Sequence, residues 1–305
     1  MRKIKWGLLS LTAAFTLLTA CSNKEEAFFE SANGEKIDHI HGTGYIGEPA
    51  EPILATHNGL LKYEDGKWLK TTKNNNDYMG FQAVKNGFFS SGHPEEGSDL
   101  KNPLGLVKST DEGKTIKKLA FYGETDFHYL GASYNTGTVY AINVEPNSKL
   151  DVGLFYSKSE GKKWTQSKLK GLNSNSIGGL AVHPSKDNII AINTKEGIYY
   201  SDDYGDNFNF ISTKEMVPSL TFTGDSILYS SIENNKVILH EKNIANKEDK
   251  KIPLPALESE NFIQYIAINH EDPKEMVVIT PMNDIYLTKN GGEKWSHIAK
   301  KGKTE

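Results

Sequence analysis

Nine histidines are spread along this 305-residue chain, and five of them, His39, His41, His57, His93 and His128, fall in its first 128 positions. Aspartates accompany them. Asp38 opens the run Asp38-His-Ile-His-Gly42, Asp77 opens Asp77-Tyr-Met-Gly-Phe81, and Asp126 opens Asp126-Phe-His-Tyr-Leu130. Imidazole nitrogen ligates zinc, copper, iron or nickel, and a carboxylate either completes such a set or orients a ring from behind. Met79, in the second run beside Tyr78, would suit a softer ion such as copper, although a methionine in an inner strand more often packs in a core. The carboxylates offer a second chemistry, cleavage of a glycosidic bond, which needs two acids flanking the sugar at roughly 5 to 10 Å. Asp77, Glu124, Asp126 and Glu145 are the candidates, and nothing in their spacing selects a pair. Any one histidine alone would ordinarily be a hydrogen-bonded structural residue. Five together depend on whether the fold gathers them.

A recurring phrase says how it could. Ser109-Thr-Asp-Glu-Gly-Lys-Thr115, Ser157-Lys-Ser-Glu-Gly-Lys-Lys-Trp164, Ser201-Asp-Asp-Tyr-Gly-Asp-Asn-Phe208 and Thr288-Lys-Asn-Gly-Gly-Glu-Lys-Trp295 place Gly113, Gly161, Gly205 and Gly292 at intervals of 48, 44 and 87 residues. A fixed period of that size marks stacked or circularly arranged supersecondary units. Each copy has the logic of a hairpin: an apolar run, a polar turn with an obligatory glycine, then an aromatic or β-branched residue opening the next strand. Glycine supplies a positive φ, while Ser, Thr, Asp or Asn bonds back to nearby backbone N–H groups.

The phrase resembles the Asp-box, or BNR repeat, of pattern S-x-D-x-G-x-T-W. Ser109 to Thr115 matches well, Ser159 and Asn290 stand where the aspartate belongs, and Tyr63-Glu-Asp-Gly-Lys-Trp68 looks like a shortened copy. The resemblance implies an all-β chain folded as a β-propeller, with each box between the third and fourth strands of a blade, as in sialidases, sortilin-type domains and many binding proteins. Six four-stranded blades, or seven, are expected. The blades would begin near Asp38, Asp77, Asp126, Asn175, Val217 and Phe262.

Antiparallel strands reverse at each turn, so the chain entering the first strand and the turn after the second share one face of the disc. That face would hold the five histidines with Asp38, Asp77, Asp126, Tyr78, Met79 and Glu145. Two long loops, Ser91 to Leu104 and Val144 to Asp151, would rise over it, and loops of that kind are often lids or binding loops. His183-Pro and His270-Glu-Asp-Pro are matching turns on the opposite, Asp-box face, similar to His-Pro turns of sortilin-like repeats, and read as structural. His240 and His297 read as ordinary outer-strand residues, and Asn243 to Lys251 as a solvated turn.

The N-terminus carries a processing signal. Arg2, Lys3 and Lys5 precede an apolar run from Trp6 to Leu18 that is too short to span a membrane, followed by Leu18-Thr-Ala-Cys21. This matches a bacterial lipobox and implies cleavage before Cys21 and lipidation of its sulfur. Cys21 is the single cysteine, so no intrachain disulfide can form. The expected division is signal peptide 1–21, polar tether 22–36, propeller 37–300 and tail 301–305, with Ala27 to Phe29 available as a closing strand.

Composition removes several functions. The formal net charge is -4 without a basic stripe, which argues against nucleic acid as a partner. Arg2 is the only arginine and lies in the signal. Sialidases clamp their substrate's carboxylate with bidentate arginines, a geometry lysine does not reproduce, so that activity is excluded. There is no G-x-S-x-G elbow and no phosphate-binding glycine loop.

Over nearly its full length the chain also resembles bacterial lipoproteins loosely called glycosyl hydrolase-like or BNR-repeat proteins, through His39 to Gly42, Met79 to Phe81, Ser91 to Pro94, Asn102 to Leu106 and Asp126 to His128. The reading is a binding protein on the outer side of the bacterial cytoplasmic membrane, anchored by lipid on Cys21. Its histidine face would hold a metal ion, copper or zinc, or a small polar ligand. The alternatives are a glycoside hydrolase-like enzyme acting on a glycan, or a scaffold for a protein ligand. A fold does not choose among them.

Overall fold

The computed structural model describes residues 27–211, 215–258 and 261–304. Cys21 and the signal lie outside the described residues. The described chain folds into six antiparallel sheets arranged as a β-propeller, with no helix among the described residues.

Blade I runs outward from Ile40–Ile46 through Glu51–Thr56 and Gly59–Glu64 to Lys67–Thr71. Blade II comprises Asp77–Val84, Gly87–His93, Leu106–Ser109 and Lys117–Ala120, and blade III comprises Leu130–Ala132, Val139–Asn143, Gly153–Ser157 and Thr165–Gln166. Blade IV is Ile177–Val182, Ile190–Thr194, Ile198–Ser201 and Asn209–Phe210. Blade V is Met216–Thr223, Ser226–Glu233, Lys236–Asn243 and Asp249–Ile252, and blade VI is Tyr265–Ile268, Met276–Ile279, Ile285–Thr288 and Ser296–Lys300. Innermost strands touch their neighbours around the ring, and that of blade VI returns to that of blade I.

The strands form where apolar residues alternate or run together, because each blade is covered on both faces by its neighbours. Val277, Val278 and Ile279 are fully buried for this reason. The core is divided into wedges between blades rather than gathered in one centre. Val84 and Phe89 of blade II pack with Leu130 and Val139 of blade III, and Leu54 and Trp68 of blade I pack with Val277 and Ile285 of blade VI.

Ring closure uses the N-terminal segment. Phe29–Ser31 adds a fifth strand to blade I beside Lys67–Thr71, and Lys303–Thr304 adds a fifth to blade VI beside Ser296–Lys300. Both lie in stretches the sequence reading assigned to tether and tail. Between them the chain is shared: Ala32 N–H donates to the Trp68 carbonyl (2.9 Å), Gly34 N–H to that of Thr304 (3.0 Å) and Ile37 N–H to that of Gly302 (2.7 Å). The buried Trp68 indole completes the seam by donating Nε1–H to the Ile298 carbonyl at 2.8 Å.

All four Asp-boxes connect third to fourth strands and use one device. The first side chain accepts the glycine N–H: Ser109 from Gly113 (2.8 Å), Ser157 from Gly161 (2.9 Å), Ser201 from Gly205 (2.9 Å) and Thr288 from Gly292 (3.1 Å). The third accepts the N–H four residues on: Asp111 from Thr115 (2.9 Å), Ser159 from Lys163 (3.0 Å), Asp203 from Asn207 (2.9 Å) and Asn290 from Lys294 (2.9 Å). The motif therefore requires an acceptor oxygen there, not a charge. Each glycine has φ between 78° and 94° and presses on an aliphatic side chain of the preceding blade, Leu60, Leu106, Leu154 or Ile252, so a β-carbon would be both strained and crowded.

The innermost strands enclose a channel cavity of about 350 Å³. His41 and His128 line it on one side of the disc, and its other end is crossed by Tyr134 of the turn after the blade III inner strand and His270 of the corresponding turn in blade VI, whose rings lie 4.4 Å apart. The channel thus opens toward the histidine face and narrows at the Asp-box face. Burial pushes the His270 imidazole down to about 4, helped by nearby His183.

Two predictions follow from these contacts. Asp111→Asn should unfold in urea close to wild type while Asp111→Ala loses about 1–2 kcal/mol; equal losses would show that charge, not acceptance, matters. His270 stays neutral in the fold at pH values where it protonates in the unfolded chain, so its contribution is complete above about pH 6.5 and is lost as pH falls toward 4, on the order of 3 kcal/mol in all. Urea unfolding across that range should therefore show a shallower pH dependence in His270→Phe than in wild type, and identical slopes would contradict the assignment.

Candidate metal centre

Strand reversal carries the histidines to one mouth. His39 and His41 flank the start of the innermost strand of blade I, and His57 sits in the turn after its second strand. Asp77 begins the innermost strand of blade II, and His93 ends the second strand, where it is the cross-strand partner of Asp77. Asp126 and His128 lie just before the innermost strand of blade III.

Three of these side chains converge. His57 Nδ1 is 2.8 Å from Asp77 Oδ2, His41 Nε2 is 3.2 Å from Asp77 Oδ1, and the two ring nitrogens are 3.3 Å apart. His39 edges onto the His57 ring at 4.8 Å and stacks over His41 at 5.6 Å. Asp77 Oδ1 is buried and has no hydrogen-bond partner, because the imidazole N–H directions do not aim at it. Ligands about 2.0–2.1 Å from a tetrahedral ion stand roughly 3.3 Å from one another. The observed separations are 2.8, 3.2 and 3.3 Å, the last of them a hydrogen bond between the two rings, and the ligand atoms lie close enough together to form a metal's ligand set. Burial lowers the His41 pKa despite the opposing pull of the Asp77 carboxylate, and His57, His39 and His128 lower it further. His41 therefore keeps a neutral ring with a lone pair to give.

The other expected residues fall into two classes. His93 and His128 gather around Asp126, at 3.4 Å from His93 Nε2 and 3.2 Å from His128 Nδ1 to the same Oδ2. Several candidates stand apart from both groups. Asp38 is exposed and pairs with Lys36 at 3.1 Å. Glu124 is exposed and accepts the Ser148 N–H at 3.2 Å, which tethers the Val144 to Asp151 loop, and Glu145 is exposed on that loop. Tyr78 is buried, donating its hydroxyl to the Asn74 carbonyl at 2.9 Å. Met79 is half-buried, with its carbonyl accepting from Ser90 Oγ at 2.7 Å.

Equivalent turn positions in the next blades are structural. Asn143 Nδ2 donates to the Glu145 and Asp151 carbonyls at 2.6 and 2.9 Å, and Asn193 Nδ2 to those of Val217 and Pro218 at 3.0 Å each. On the Asp-box face His183 Nδ1 accepts the Ser185 and Lys186 N–H groups at 3.1 and 3.0 Å, a turn-stabilising role. His240 is more than an ordinary outer-strand residue. It is buried between Asp249 (3.0 Å) and Glu233 (2.9 Å) and stacks on Tyr229 at 4.7 Å. Glu233 and Asp249 pair with it only through strand register, which no local motif announces.

The profile of the Sortilin-Vps10 family (Sortilin, neurotensin receptor 3) matches residues 105–264. No curated protein matches the chain. Among solved structures, a GH74 enzyme from Niastella koreensis superposes with a TM-score of 0.57 at 15% identity, over 89% of this chain and 47% of its own. The GH74 xyloglucanase from Xanthomonas campestris gives 0.55 at 13% identity, over 88% of this chain and 46% of its own. YCF48 from Cyanidioschyzon merolae gives 0.53 at 11% identity, over 91% of this chain and 90% of its own. The chain spans less than half the length of either GH74 enzyme, and the likeness is one of fold. The family profile covers 160 of the 305 residues, from the edge of the third strand of blade II to the edge of blade VI, and on that match the chain belongs to the Sortilin-Vps10 family.

Proposed function

We propose that this protein is a lipid-anchored, extracytoplasmic binding protein that holds a divalent transition metal, zinc or copper, in the His41–His57–Asp77 group at the propeller mouth. The observation that carries the reading is the Asp77 carboxylate, whose buried Oδ1 lacks a hydrogen-bond donor and which two imidazoles face at 2.8 and 3.2 Å. A buried carboxylate oxygen without a donor is costly, and an ion between the three groups would remove that cost. Two imidazoles and one carboxylate leave coordination positions for a small polar ligand from the channel, whose lining beyond the histidines is neutral. His41, His57, Asp77 and His93 lie outside the stretch shared with the family, so this function is read from the chain's own residues.

Anchoring rests on Leu18-Thr-Ala-Cys21 and places the propeller on the outer side of the cytoplasmic membrane. The glycosidase reading has weaker support. Its candidate acids are either exposed, as Glu124 and Glu145 are, or enclosed by histidines, as Asp77 and Asp126 are.

Chelator-stripped protein should gain about 3–8 °C in melting temperature with Zn²⁺ or Cu²⁺ in large excess, and His57→Ala should lose most of that gain. Absence of any shift in wild type with zinc, copper or nickel would refute the metal reading. Cys21→Ser should move the protein from the membrane fraction to the soluble extracytoplasmic fraction. Unchanged fractionation would refute the anchor.

A further inference from the structure

The exposed apolar side chains of this propeller sort by face. Among the described residues, the large hydrophobic side chains left open to solvent are Val144, Val152, Phe210, Met216 and Met282, with Val144 and Val152 standing out furthest at 61% and 57% exposed. Val144 and Val152 bracket the loop between the second and third strands of blade III, and Met282 lies in the corresponding turn of blade VI. Met216 opens the innermost strand of blade V. Phe210 closes the fourth strand of blade IV opposite Tyr199, near the beginning of the third. Strand reversal puts all five toward the end of the disc that carries the histidines, and none of them in an Asp-box turn. An exposed valine or methionine taken singly needs no explanation, but five gathered on one of two faces do.

The chain enters the propeller at that same face. Phe29–Ser31 runs antiparallel to the fourth strand of blade I with Phe29 opposite Thr71, and the Ala27 and Phe28 carbonyls accept the Thr72 hydroxyl at 3.0 Å and the Thr72 N–H at 2.9 Å. Ala27 lines one groove with His57 and Asp77. Cys21 stands six positions before it. Six residues reach no more than about 20 Å whatever path they take. The seven-residue strand Ile40–Ile46 spans about 23 Å from face to face. Lipid on Cys21 therefore lies within one disc thickness of the histidine face. The Asp-box face could meet the bilayer only with the tether drawn out along the whole side of blade I.

We infer that the histidine face is the membrane-docking surface of the anchored protein, its apolar rim seated in the lipid interface and its mouth turned toward the bilayer. The inference rests on the lipid anchor and is independent of the metal. With the tether at blade I and the apolar tips on blades III to VI, the points of contact stand round a ring and define a plane parallel to the disc. A protein partner is recognised through a contiguous apolar patch, whereas separate tips spread round a rim fit a fluid surface that closes about each one. Charges in the same turns are mixed, with Lys149, Lys195 and Lys236 near Glu145, Asp151 and Glu196, so apolar insertion and not attraction to anionic headgroups carries the contact.

Fluorescence quenching tests this on the full chain, lipid-modified, purified in detergent and reconstituted into vesicles of phosphatidylcholine, which has no net charge. With Cys21 occupied by lipid, Val144→Cys, Met282→Cys and, in an exposed Asp-box turn, Lys114→Cys each offer a single thiol for a fluorescent label. Nitroxide-bearing lipids are expected to quench the labels at 144 and 282 at least about twofold more strongly than the label at 114. Melting curves matching wild type verify that these surface substitutions leave the fold unchanged. Equal quenching at the three positions, or stronger quenching at 114, would overturn the inference while leaving the anchor intact. Labels at 144 and 282 that lipid vesicles leave unquenched but native membranes shield would assign the face to a protein partner and likewise overturn it. Protein that does not stay with the vesicles would bring down the anchor and the docking together.

Discussion

Closure of the ring is the constraint on which the rest of this molecule depends. Residues 32–37 are bonded to blade I at one end and blade VI at the other, and the Trp68 indole reaches across the same seam to the Ile298 carbonyl. These contacts join positions about as distant in sequence as the chain allows, so they carry a large loop-closure cost before any return. What they secure is the relative placement of blades that share only narrow wedges of core. Once the ring is closed, the mouth is a fixed circle of strand ends. Side chains there are held by backbone they do not themselves stabilise, which is the condition for keeping an unfavourable group such as a buried carboxylate oxygen without a donor.

The Asp-box supplies the complementary constraint at each blade's outer part. Its two side-chain acceptors satisfy turn N–H groups, and its glycine seats against an aliphatic side chain of the blade before it. The same motif therefore both folds a hairpin and sets the spacing between neighbours. Its recurrence in four blades explains why the pattern tolerates Ser159 and Asn290, whose oxygens accept the same N–H, but keeps the glycine.

Much of this was legible in the residues. The glycine spacing pointed to stacked or circularly arranged units, the Asp-box resemblance implied an all-β propeller of six or seven blades, and strand alternation led to one face for His39, His41, His57, His93 and His128. Other features were hidden because they depend on pairing between distant strands. A closing strand was expected at Ala27 to Phe29 and forms at Phe29–Ser31, whereas nothing local in Lys303–Thr304 announces a fifth strand, since it is short and polar and gains its partner only when the ring closes. Likewise, Asp38, Asp77 and Asp126 look equivalent in register. Asp38 alone turns to Lys36, because the segment before it is drawn into the closing seam, where Asn283 Nδ2 donates to the Ile37 and Asp38 carbonyls. The grouping of His57 with Asp77, and of His93 with Asp126, joins the end of one blade's second strand to the beginning of the next blade. Sequence distance does not reveal which of the several acids on that face would be chosen.

The central claim is that the carboxylate and imidazoles at the mouth are arranged for a cation rather than for one another. Anomalous diffraction from crystals soaked in Zn²⁺, collected on both sides of the zinc absorption edge, addresses it directly. The account predicts a peak about 2.0–2.1 Å from His41 Nε2, His57 Nδ1 and an Asp77 oxygen. No anomalous density at the mouth, with those side chains instead hydrogen-bonded to one another or to ordered water, would contradict it.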